Sequence, residues 1–334
     1  MNHNKRHPMH LALTTLAVGA VAVLAPRSAA AFEPQNVECI APSGPGGGWD
    51  FTCRQVGKAL YDQSLVPGPV QVSNMAGGSG GVAYAAVVSK RNEDNNLIVA
   101  ASTATTTRLA QGAFVGMNQD MVRWLGTVGA DYGVIAVAQD SPHQTLTDLM
   151  DAIKADPTSI SIAGGSAVGG WDHLKALIAA RSAGVENLAQ VKYIAFQGGG
   201  EAVTQLLGGH VQAFSGDISE AQGFMDAGDI RVLAVLSEER LPGDLADLPT
   251  AKEQGIDAIG ANWRGFYGPG EMSEDAYAYW TDAIQKVYES DAWKKTMAAN
   301  GLMPLGLYGD ELQEFVANQI ADIEALSREI GIIN

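Results

Sequence analysis

The chain has 334 residues, 46% of them hydrophobic, enough for a sizeable buried core. Acidic residues outnumber Lys and Arg 37 to 21, and the formal net charge of −16 excludes sequence-independent nucleic-acid binding, which needs surplus cations to displace phosphate counterions. It also argues against adsorption to an anionic membrane surface.

The first thirty residues read as an address. Lys5 and Arg6, an apolar run from Leu11 to Leu24 and the small residues Ser28-Ala29-Ala30-Ala31 are the three parts of a secretory signal peptide, with cleavage expected near Ala31. The apolar run, about 14 residues, is short of the roughly 20 that a spanning helix needs, so an N-terminal anchor is the weaker reading. Removing residues 1–31 takes away Lys5, Arg6 and Arg27 and no acid, which leaves 303 residues at a net charge of −19. Export of an acidic protein to the periplasm is the expectation.

Beyond the signal segment, short apolar or β-branched runs alternate with helical patterns. The runs are Val37–Ile40, Val70–Val72, Leu97–Val99, Val134–Val137, Ile160–Ile162, Val191–Ile194, Val211–Phe214 and Val232–Val235. Strands alternating with helices predict an α/β fold with largely parallel sheets, and a mature chain of this length predicts two domains. Leu312, Phe315, Val316, Ile320, Ile323 and Leu326 fall on one stripe of a long C-terminal helix, read as core packing. Cys39 lies in the first strand and Cys53 near the start of the next helix. An oxidising compartment permits a disulfide between them, and two buried free thiols are the alternative. Two cysteines and the scattered His143, His173 and His210 do not make a metal cage, and neither metal nor cofactor is expected.

Glycine is in excess, 39 of 334 residues against a usual share of roughly 7%, and it is clustered. Gly44, Gly46, Gly47 and Gly48 follow the first strand, Gly77, Gly78, Gly80 and Gly81 the second. Gly164, Gly165, Gly169 and Gly170 follow the run at 160–162, and Gly198, Gly199 and Gly200 the run at 191–194. Each cluster stands where a strand ends and a helix begins, the place where open α/β sheets bind ligands. A helix start offers unpaired N–H groups and about half a positive charge, and glycine lets a ligand approach the backbone. An acidic protein can therefore bind an anion there without Lys or Arg. None of the four clusters has the pattern of a phosphate loop or a dinucleotide fingerprint.

Ala41-Pro42-Ser43-Gly44-Pro45-Gly46-Gly47-Gly48-Trp49-Asp50 resembles the first ligand loop of the tripartite tricarboxylate transporter receptors, the Bug-type periplasmic solute-binding proteins. The similarity continues through Asn74–Gly81, Gly165–His173, Gly198–Ala202, Leu207–Ala213, Arg240–Pro242, Leu248–Thr250, Glu253–Gly255 and Asn262–Gly265, in the family's order and over nearly the whole mature chain. The resemblance implies a two-lobed periplasmic-binding-protein fold of type II-like kind, with a ligand cleft between α/β lobes joined by two crossover strands. Lobe 1 would take residues 32–131 and 252–334, and lobe 2 residues 132–251. It implies capture of a small carboxylate, citrate-like or another tricarboxylate or dicarboxylate, and delivery to a large and a small membrane permease subunit. A monomer without nucleic-acid partners is expected.

Carried over by residue, the ligand set is Ser43, Gly47, Gly48, Trp49 and Asp50 from the first loop and Gly78, Ser79 and Gly80 from the second. Ser102 and Thr103 would add hydroxyls. Ser166, Gly169, Gly170, Gly198 and Gly199 would face them, with Ser215 or Asp217 orienting water. Asp50 reads as the cap of its helix, because a carboxylate would repel an anion. Where many relatives carry Tyr-Lys-Gly, this chain has Phe196-Gln197-Gly198, and Trp171 replaces a smaller polar residue. Other readings are an aromatic carboxylate such as terephthalate as ligand, a sensor presented to a membrane kinase, and an enzyme. Ser166 with Asp172 and His173 invites a hydrolase reading, but Gly164-Gly165-Ser166-Ala167-Val168 lacks the G-x-S-x-G elbow, and the chain is not read as an enzyme.

Overall fold

The computed structural model describes Met1 and residues 32–334, so the signal-peptide segment lies outside the described residues. The order of elements is β1 (Glu38–Ala41), α1 (Gly48–Asp62), β2 (Gln71–Asn74), α2 (Gly81–Lys90), β3 (Leu97–Ser102), α3 (Thr103–Ala110) and β4 (Val122–Ala138). Next come α4 (Leu146–Ala155), β5 (Ser161–Gly164), α5 (Trp171–Ser182), β6 (Lys192–Ala195), α6 (Gly199–Leu207), β7 (Ala213–Asp217), α7 (Ile218–Asp226) and β8 (Ile230–Val235). The chain ends with β9 (Ala261–Pro269), α8 (Glu274–Glu289), α9 (Asp291–Ala299) and α10 (Gly309–Glu329). Among the described residues no helix is long and apolar enough to cross a membrane.

The strands run β2-β1-β3-β9-β4-β7-β5-β6, with β8 also paired to β4. β1 pairs in parallel with β2 and β3, and β5 with β6 and β7. Every pairing of β9 and β4 is antiparallel, so the expectation of largely parallel sheets holds only at the two ends. The reason is β4, a 17-residue strand of which the apolar run at 134–137 is only the end. Its residues from Val122 to Tyr132 pair with β9, and those from Gly133 onward with β7 and β8. One strand thereby serves both ends of the sheet: β9 runs against the set of β1, β2 and β3, and β4 against the set of β5, β6 and β7.

The inner strands β1, β3 and β7 are covered on both faces and buried almost throughout, whereas the edge strands β2 and β6 stay partly exposed. In β1 and β3, Cys39, Ala41, Ile98 and Ala100 turn to α1 and α8, while Ile40, Leu97, Val99 and Ala101 turn to α2 and α10. At the other end Ile135 and Ile162 meet α4 and α5, whereas Val134, Ala163 and Phe214 meet α6 and α7. In α10, Leu312, Val316 and Ile323 are buried and Phe315 and Ile320 pack beside them.

A disulfide ties Cys39 in β1 to Cys53 in α1, with Cα atoms 5.7 Å apart, and both residues are fully buried. The bridge clamps the first glycine loop at its two ends. For the closed loop of about 15 residues the chain-entropy argument gives about 3 kcal/mol. Urea unfolding of the Cys39→Ala/Cys53→Ala variant is expected to show a loss of that order, with a midpoint that no longer responds to reductant.

Candidate functional site

Five strand ends, those of β1, β3, β5, β6 and β7, and the helices that follow them meet between the two ends of the sheet. They enclose a cavity of about 30 Å³, lined by Ser43, Gly47, Gly48, Trp49, Ser102 and Ala104 on one side and Gly165, Ser166, Asp172 and Gly198 on the other. Asp217, Glu220, Asn262 and Arg264 complete it. The loops that carry these residues bond directly to one another. The Gly44 N–H donates to the Gln197 carbonyl at 2.6 Å, and the Ala167 N–H to the Ser79 hydroxyl at 2.5 Å.

Ser43 and Trp49 are buried, yet the Ser43 Oγ and Trp49 Nε1 have no hydrogen-bond partner among the described residues. Unpaired buried polar atoms of this kind are rare and call for an explanation. Gly48 needs to be glycine because a Cβ there would strike the Arg264 guanidinium. Asp50 does not cap its helix: the N-cap is Gly47, and Asp50 sits at the third helical position. Its carboxylate reaches back to the Gly46 N–H at 3.0 Å and is held by Arg54 and Asn74. Burial raises its pKa, but the Arg54, Gly46 and Asn74 hydrogen bonds outweigh that and hold it below the usual range. Asp50 thus shapes the first loop from behind.

Several other expected residues are engaged in the fold. Gly78, Ser79 and Gly80 form a short 3-10 turn away from the cavity, with Gly80 against the Trp49 ring. The Thr103 hydroxyl donates to the Ala261 carbonyl at 3.2 Å and accepts from the Trp263 N–H, which ties α3 to β9 instead of facing the cavity. The Ser102 hydroxyl reaches the cavity wall but caps α3. Gly169 and Gly170 shape the turn before α5, Gly169 at φ +81° donating to the His173 Nδ1; Gly165 stands in the cavity wall in their place. The Ser215 hydroxyl is spent on the Asp172 carbonyl at 2.7 Å. Burial pushes His173 down to about 4, so it is neutral near pH 7, and its ring lies on Tyr193 with centroids 4.6 Å apart. The Ser166 hydroxyl bonds to the Asp172 N–H and lies 3.3 Å from the Tyr193 hydroxyl, which leaves no Ser–His pair for a hydrolase.

The main residues missed by the sequence reading are charged. Arg264 on β9 places Nη2 2.7 Å from both Asp131 on β4 and Asp217 at the end of β7. Lys175 on α5, fully buried, reaches Asp217 at 2.6 Å, Asp172 at 2.9 Å and the Gly216 carbonyl at 2.7 Å. Asn262 donates to Asp217 at 2.6 Å. Burial opposes charge at every member, but Lys175 and Arg264 together hold Asp217 below the usual carboxylate range. Asp131 and Asp172 are pushed up by burial and by the nearby Asp217 charge. A signal for Lys175 did exist: it stands three residues after Asp172, the spacing of an ion pair, on a helix that is apolar nearly all round.

Residues 53–332 match the family described as "Tripartite tricarboxylate transporter family receptor". The chain belongs to this family. The receptor is 26% identical over 326 residues to the protein BugT of Bordetella pertussis, a match covering 96% of this chain and 97% of that one. Its fold matches a Rhodopseudomonas palustris protein, Rpa4515, solved with adipate, at a TM-score of 0.80 and 20% identity, over 89% of this chain and 97% of that one. It also matches MatC of Rhodopseudomonas palustris, solved with malate, at a TM-score of 0.76 and 18% identity, over 87% and 98% of the two chains. The receptor therefore has the mixed α/β fold of periplasmic binding proteins, and its family serves transport rather than catalysis.

Proposed function

We propose that the receptor captures a small carboxylate in the cavity between the two ends of its sheet and delivers it to a large and a small permease subunit in the membrane. In this reading residues 32–131 with 252–334 form one lobe and residues 132–251 the other, and β4 with the segment entering β9 carries the hinge. Export follows cleavage near Ala31.

One observation carries the reading. The N-termini of α1 and α6, from opposite ends of the sheet, present the Gly48 and Gly199 N–H groups to one point beside the cavity. Two helix starts that aim their N–H groups at one carboxyl oxygen, that of Glu220, have the geometry of an anion site. The unpartnered Ser43 Oγ and Trp49 Nε1 offer further polar contacts in the same wall. A cavity of about 30 Å³ has room for roughly one or two waters, so a dicarboxylate enters only when the lobes hinge apart.

Adipate and malate, the molecules solved with the two Rhodopseudomonas palustris proteins, join citrate and terephthalate as the compounds to try. Calorimetry of the mature chain against these four is expected to give saturable binding of at least one. Absence of heat with all four would overturn the reading.

A further inference from the structure

The carboxyl of Glu220, on the first turn of α7, sits on the anion donors themselves. Its Oε1 accepts from the Gly48 N–H at 2.8 Å and from the Gly199 N–H at 3.2 Å. Its Oε2 accepts from the Asp217 N–H at 3.2 Å, closing the capping box of α7. A Cβ on Gly199 would strike this carboxyl, so the glycine at the start of α6 is what lets it approach. One side chain thus bridges two helix N-termini that stand 151 positions apart in the chain and at opposite ends of the sheet.

We propose that Glu220 is a built-in competitor: an internal carboxyl that occupies the Gly48 and Gly199 N–H groups and that the ligand's carboxylate must displace. The proposal rests on the reading of the cavity as a carboxylate site. It adds that affinity is set by an exchange of one carboxyl for another, and not by filling free donors. Two further features fit an exchange. Among the described residues the four carboxyls of Asp131, Asp172, Asp217 and Glu220 share the two cations Lys175 and Arg264, so a ligand carboxylate added beside Glu220 would meet unbalanced negative charge. Burial, with the charges of Asp217 and Asp172, pushes the Glu220 carboxyl up to about 8, a sign of how poorly the pocket tolerates one more anion. Trp49 Nε1 and Ser43 Oγ, which Glu220 leaves without a partner, remain for the incoming molecule.

The test is calorimetry of the wild type, Glu220→Gln and Glu220→Ala against citrate, malate, adipate and terephthalate. Glu220→Gln keeps the capping box, since glutamine serves at that position, but replaces the carboxyl by an amide that cannot ionise. Removing a competitor that holds both N–H groups is expected to tighten carboxylate binding by about 10- to 100-fold in Glu220→Ala. Glu220→Gln should gain less. Thermal melting reports whether each variant is folded, and if Glu220→Ala is not, Glu220→Gln decides. Binding by a variant of a carboxylate that the wild type ignores would also support the exchange. Wild-type binding with equal or weaker binding by the folded variants would overturn the competitor and leave the carboxylate site standing. No binding by any of the three proteins would overturn both.

Discussion

Replacing Arg264 by methionine is expected to lower the unfolding free energy by about 3–5 kcal/mol, the usual cost of removing one partner of a buried ion pair. The guanidinium is 3% exposed and is the only cation within salt-bridge distance of Asp131 among the described residues, while it shares Asp217 with Lys175. Without it, Asp131 keeps the Ser219 hydroxyl and N–H but loses its counter-charge in a site where burial already raises its pKa. Urea titration is expected to move the midpoint with little change in slope, the sign of lost stability without a change in cooperativity. Arg264→Met/Asp131→Asn should recover part of the loss, because it removes the orphaned charge as well. A midpoint for Arg264→Met equal to wild type would show that the pair contributes nothing net.

Lys175→Met should cost a similar amount, and its cost should depend on pH. Lys175 counters Asp172 and shares Asp217 with Arg264. In the wild type the folded pKa of Asp217 lies below its ordinary value of 3.8, so its contribution is present above that value and fades as pH falls through the folded pKa. Without Lys175 the folded pKa values of Asp172 and Asp217 rise. A group with a raised folded pKa destabilises most when both states would be ionised, and that penalty fades as pH falls toward the unfolded value. The difference between variant and wild type is therefore expected to be about 3–5 kcal/mol at pH 7 and clearly smaller near pH 4.5. Urea unfolding at the two pH values checks this. A pH-independent difference would assign the effect to lost packing, since the lysine stem also fills the space beside Gly133 and Gly260.

These two predictions concern groups that the sequence reading passed over, and the reason is physical. Arg264 and Asn262 were legible only as part of a resembling block, because their partners lie 133 and 45 positions away. Nothing local distinguishes a buried arginine with two partners from an exposed one. Asp217 was legible as the end of a strand, but whether it would orient water or be held by two cations depended on where α5 and β9 pack. Thr103 and Ser215 follow the same rule. A hydroxyl at or near a strand end was the right residue type, and packing then gave it to a backbone carbonyl.

The sequence by itself determined the elements and their junctions. Short apolar or β-branched runs marked β1 to β8 but not β9, helical spacing marked the stripe of α10, and four glycine clusters marked the turns from strand to helix, because propensity and periodicity act within a few residues. The tertiary structure alone decided which of those turns face one another, how the antiparallel pair β9 and β4 joins two parallel sets, and that the Glu220 carboxyl rests on two helix starts. Those outcomes depend on contacts between residues far apart in the chain, and local pattern carries no record of a partner that only folding brings near.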